Sequence, residues 1–189
     1  MEKTAVQKLA GVLKVLVTIT FVCNLVALLL VPGMSLMKGP DELLALTPYE
    51  NPLEVPFRVG IVFALSWVWV WAAGAYEVVL ALFLLFCGVC TAVVLWQARR
   101  VLDTVLEGLP FQEKNSKSLR LAAVCSFLIS AAALVRLIWG LAYYRTIEPL
   151  LSYNALFVPV FFMAGLLCLV MSALFRQAAE LKAENDLTI

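Results

Sequence analysis

Apolar runs long enough to cross a bilayer recur along this sequence. Gly11 to Val31, Leu121 to Tyr143 and Ala155 to Phe175 each reach the roughly 20 residues that a helix needs to span a hydrocarbon core about 30 Å thick. Val59 to Ala98 is apolar as well, with Glu77 its only charge. The composition agrees: 63% of residues are hydrophobic and 14% charged, against about 45–50% and about 25% in a soluble domain. The chain is therefore expected to fold in lipid as an all-α, polytopic membrane protein.

Whether Val59 to Ala98 holds one span or two is decided by charge, because cytoplasmic segments carry excess Lys and Arg. Lys3, Lys8 and Lys14 lie at the N-terminus, and Arg99, Arg100, Lys114, Lys117 and Arg120 follow the apolar stretch. One span keeps both groups on the same side; two would separate them. The reading is thus a four-transmembrane-helix bundle forming a single membrane domain, 1–189. Its spans are approximately 11–31, 76–98, 121–143 and 155–175, with an outer cap at 32–75, a cytoplasmic loop at 99–120 and a cytoplasmic tail at 176–189. Both termini are expected on the cytoplasmic side of the membrane. The first span is too long for a cleaved leader, and no small-residue cleavage site follows it.

Within the cap, prolines at 32, 40, 48, 52 and 56 predict irregular chain. Residues 59–75 are more ambiguous. Trp67, Trp69 and Trp71 alternate with Val68 and Val70 as in a strand, yet an open strand edge is not tolerated in lipid. An interfacial or re-entrant helix fits, since Trp favours the membrane surface; a long tilted start to span two is the other option.

Several functions are excluded outright. With no histidine, a Ser-His triad, a His metal centre and a His proton shuttle are all impossible. A net charge of +1 gives no nucleic-acid surface. Neither a metal nor a cofactor site is expected, and no catalytic residue stands out.

Two features inside the spans invite chemistry. Cys87 and Cys90 have dithiol spacing, but at mid-span burial disfavours the thiolate that exchange needs, so packing is the favoured role. Arg136 is costly in a span, by about 2.5 to 3.5 kcal/mol on insertion scales. Glu77, at the outer end of span two, is a plausible ion-pair partner, and snorkelling is the alternative. Lys14 reads as a simple snorkelling residue. Ala122, Ser126 and Ser130 form a small-residue ridge for close helix contact, toward either an internal helix or a second copy of the chain. Pro159 should kink span four.

At the cytoplasmic end, span two is expected to continue as a helix with Val101, Leu102, Val105 and Leu106 on one face. Gly108 then ends it and Pro110 blocks continuation, with Asn115 or Ser116 capping the start of span three. Leu187 and Ile189 end the tail on apolar side chains, and the Val101 to Leu106 face is a groove that would receive them.

Gly108-Leu109-Pro110-Phe111, then Asn115 and Leu119, together with the closing Glu184-Asn185-Asp186-Leu187-Thr188-Ile189, resemble the bacterial membrane family catalogued as domain of unknown function 2975. The resemblance implies a small four-span protein, often encoded beside a short helix-turn-helix regulator, and hence a cytoplasmic DNA-binding partner. The leading expectation is a non-enzymatic regulatory membrane protein whose inner face, Val101, Leu102, Val105 and Leu106 with Gly108, Pro110, Phe111 and Asn115, docks either such a partner or the tail residues Leu187 and Ile189. Binding or transport of a small lipophilic molecule near Glu77, Arg136 and the Trp cluster is the alternative, followed by a membrane thiol oxidoreductase. The lipid bilayer is an expected partner, and a homo-oligomer is compatible with the ridge.

Overall fold

The computed structural model describes residues 5–36 and 55–186, and among these there is no strand. The four expected spans each fall inside one long helix: α1 (Ala5–Leu36), α3 (Ala75–Leu106), α4 (Glu113–Tyr144) and α5 (Tyr153–Asp186). All four are long and apolar enough to cross a membrane. Between α1 and α3 lies α2 (Val55–Trp69), whose 15 residues extend only about 22 Å.

The ambiguity of residues 59–75 is resolved by a break. A 3-10 turn at Val70–Ala72 ends α2, and Ala73 is extended with ψ 178°. Gly74 then caps α3, its carbonyl accepting from the Val78 N–H at 3.2 Å. This stretch is a separate short helix, not a tilted beginning of the second span.

The first span also differs from expectation, because α1 continues through Pro32 to Leu36. A proline inside a helix removes one backbone bond, and two carbonyls near this one accept from side chains instead. Ser35 Oγ donates to the Pro32 carbonyl at 2.8 Å, and Trp67 Nε1 donates to the Leu29 carbonyl at 3.2 Å. Residues 37–54, which hold the cap prolines at 40, 48 and 52, lie outside the described residues.

The described chain divides into two compact units, one drawn from Leu25–Gly88 and the other from Met1–Asn24 with Val89–Ile189. In the first, Val31, Val70 and Ala81 form a small core with Leu36, Leu84 and Leu85 packed against it. Ser66 and Val70 are buried there, while Trp67, Trp69 and Trp71 are exposed.

The second unit is organised by α4 and α5. Along α4, Ala122, Ala123, Ser126, Ile129, Ser130 and Ala133 are buried, a face of small side chains that admits a close neighbour. At Ser130 that neighbour is α5, whose Val158 carbonyl accepts from Ser130 Oγ at 2.8 Å. Closer to the loop, Ser116 Oγ donates to the Ser172 carbonyl at 2.9 Å and Ser172 Oγ to the Ser116 carbonyl at 2.8 Å. Gly165 sits directly under the Phe127 ring, where even a methyl group would collide.

These contacts set an antiparallel register: each step along α4 from Ser116 to Ser130 is matched by a step back along α5 from Ser172 to Val158. Arg120, one turn beyond Ser116, is therefore level with Cys168. The apolar run of α5 persists to Phe175, about two turns past the level at which α4 becomes polar.

Candidate functional site

Polar and charged side chains gather at the end of the second unit where α3 turns into α4. Helix α3 stops at Leu106 because Gly108 takes φ +76°, a left-handed conformation that glycine adopts without steric cost. The Gly108 N–H then donates to the Val105 carbonyl at 3.1 Å and the Leu109 N–H to the Thr104 carbonyl at 2.9 Å. This paired pattern is the Schellman ending, and it supports the expected termination at Gly108.

The start of α4 corrects the expected cap. The helix begins at Glu113, with Gln112 at the cap position and no side-chain cap bond. Asn115 and Ser116 are instead buried within the first turns. Asn115 Nδ2 donates to Thr104 Oγ1 at 2.6 Å and to the Pro110 carbonyl at 2.7 Å. One side chain thus ties the end of α3, the loop and the start of α4 together. It works as a brace under the loop and is not itself a surface for docking.

What the braced loop presents is apolar. Leu109 and Phe111 are 44% and 50% exposed, and the Phe111 ring lies against Phe175 of α5 at 6.0 Å between centroids. Beside Phe111 opens a groove of 650 Å³ between α4 and α5, lined also by Glu113, Lys117, Arg120, Arg176 and Glu180. Lys117 pairs with Glu113 at 3.0 Å and Arg176 with Glu180 at 2.8 Å. The hydrogen bond and charge of Lys117 hold the Glu113 carboxyl below its ordinary range, and Glu180 pushes the Arg176 guanidinium up. Among the described residues Arg120 makes no ion pair.

A second, smaller cleft of 160 Å³ lies against α3, lined by Arg100, Asp103, Thr104, Glu107, Lys114 and Asn115. Here α1 joins the same end. Lys14 Nζ sits 2.6 Å from Asp103 Oδ1, so Lys14 is an ion-pairing residue and not a bare snorkelling one. One turn deeper, the Arg99 guanidinium lies 5.7 Å from the ring centroids of both Phe21 and Trp96.

Elsewhere, Val101, Leu102, Val105 and Leu106 are half-buried on α3, and the Leu106 carbonyl accepts from Gln7 Nε2 of α1 at 3.5 Å. Leu187 and Ile189, which were to occupy that face, lie outside the described residues. Arg136 on α4 donates from Nη1 to Asn154 Oδ1 of α5 at 2.8 Å. Sequence reasoning missed Asn154, although an amide two residues into an apolar helix was a signal. Glu77 belongs to the other unit and occupies the first turn of α3, its carboxylate folded back over Gly74. A negative charge there suits the helix N-terminus. All five cysteines are free thiols, and Cys90 of α3 and Cys125 of α4 are both buried.

Four bilayer-length apolar helices, no strand among the described residues and a charged, braced loop at one end define a polytopic membrane protein. It belongs to the family described as Protein of unknown function (DUF2975), whose model matches residues 45–189. No curated protein and no solved structure matches the chain.

Proposed function

We propose that this protein is a non-enzymatic regulator in a bacterial cytoplasmic membrane, holding and releasing a small cytoplasmic DNA-binding protein at the α3–α4 loop. The observation that carries this reading is the presentation of Leu109 and Phe111. Two large apolar side chains stand exposed on a turn fixed by the Gly108 ending and by Asn115. A preordered loop loses little entropy when a partner binds. Full burial of such a side chain contributes about 1.5 to 3 kcal/mol, and covering the half left exposed here adds about half of that, or several-fold in affinity. The excess of basic residues at this end supports a cytoplasmic location.

The test uses the full chain in its native membrane, with a photoreactive phenylalanine analogue at position 111. Illumination is expected to give a discrete adduct with a small DNA-binding protein, and Phe111→Glu should abolish recovery of that protein while leaving membrane insertion intact. A lack of any protein adduct, or undiminished recovery with Phe111→Glu, would sink this reading.

A further inference from the structure

The groove between α4 and α5 contains a charge that the described residues do not balance. Its basic side chains are Lys117, Arg120 and Arg176, and its acids are Glu113 and Glu180. The acids are taken by Lys117 and Arg176. Arg120 is exposed and makes no ion pair among the described residues. The lining therefore carries a net charge of one positive unit, which a single phosphodiester monoanion would neutralise.

Depth says where such an anion comes from. In the α4–α5 register Arg120 is level with Cys168, well inside the apolar run of α5 that ends at Phe175. An arginine at that height meets the headgroup zone of a bilayer, not bulk water. Val124 and Leu128 follow Arg120 at four-residue intervals, on the same helix face, and both are exposed. An acyl chain can lie along this stripe while its headgroup rests on Arg120. Guanidinium groups suit the purpose, because their planar donors match phosphate oxygens two at a time. Arg176 and Lys117 retain donors beyond those used on Glu180 and Glu113.

We propose that this groove binds the phosphodiester headgroup of an anionic phospholipid, with Arg120 as the principal ligand and Arg176 and Lys117 at its sides. The site recognises charge at the membrane surface and does not depend on the protein partner proposed above.

The experiment uses the purified full chain in detergent, titrated with phosphatidylglycerol or phosphatidylcholine, with bound lipid counted by native mass spectrometry. The wild type is expected to prefer phosphatidylglycerol. Arg120→Gln should reduce that preference about tenfold, with the unfolding temperature in phosphatidylcholine unchanged. Arg176→Gln should reduce it less, and it serves as the deciding variant if Arg120→Gln does not fold. Arg100→Gln, in the other cleft, should leave it unaltered. Soluble glycerol 3-phosphate should not displace the lipid. Equal binding of the two lipids, wild-type preference in both groove variants, or displacement by glycerol 3-phosphate overturns the proposal.

Discussion

At the scale of single residues, Asn115 does more than its position suggests. It is buried, and its amide satisfies Thr104 and the Pro110 carbonyl from one point. Leaving a buried polar group unpaired costs about 1–3 kcal/mol, so Asn115→Ala should lower unfolding stability by about that amount. Asn115→Asp should fare no better, because a carboxylate cannot donate to a carbonyl. Hydrogen exchange over residues 107–112 should quicken in both variants, and unchanged exchange would remove Asn115 from its bracing role. The importance of this residue was legible in the sequence, but its role was not. An Asn just before an apolar run reads as a cap, and only the fold shows the helix starting at Glu113. Lys14 misleads similarly, since its partner Asp103 lies far along the chain and only packing brings them together.

Among the elements, helix length was the most legible property, because apolar run length is a direct measure of bilayer thickness. Helix α2 resisted reading because alternating Trp and Val mimic the two-residue period of a strand, and its boundary is set by the turn at Val70–Ala72. The α4–α5 register was invisible too, being set by serine hydroxyls bonding to backbone carbonyls. Helix endings offer a test with two opposite signs. Gly108 and Arg145 both end helices with positive φ, at 76° and 52°. A side chain in this region costs about 1–2 kcal/mol. Gly108→Ala should therefore destabilise α3's ending by about 1 kcal/mol. Arg145→Gly should be neutral or stabilising by up to about the same amount, since relief of the left-handed strain outweighs the freedom that glycine adds to the unfolded chain. Thermal unfolding of both variants in one lipid checks the pair, and a loss of stability in Arg145→Gly would contradict this account of α4's end.

For the whole molecule, topology asks which side each loop faces, and the structure improves the choice of probes. Ser116 falls within the expected cytoplasmic loop at 99–120, but it is buried against Ser172 and makes a poor labelling position. Lys114 is exposed on the α3–α4 side, and Leu151 is 85% exposed in the α4–α5 connection. In a cysteine-free background, an impermeant thiol reagent applied to intact cells should label Leu151→Cys and spare Lys114→Cys until the membrane is permeabilised. The reverse pattern would invert the topology. The stagger between α4 and α5 has one more consequence. A bilayer meeting this protein finds no common waterline: along α5 oil is welcome for about two turns, some 11 Å, beyond the height at which α4 demands water. The leaflet must slope or thin against α4, at a cost that depends on lipid chain length. Membrane thickness thus bears on the same few residues that hold the loop in place.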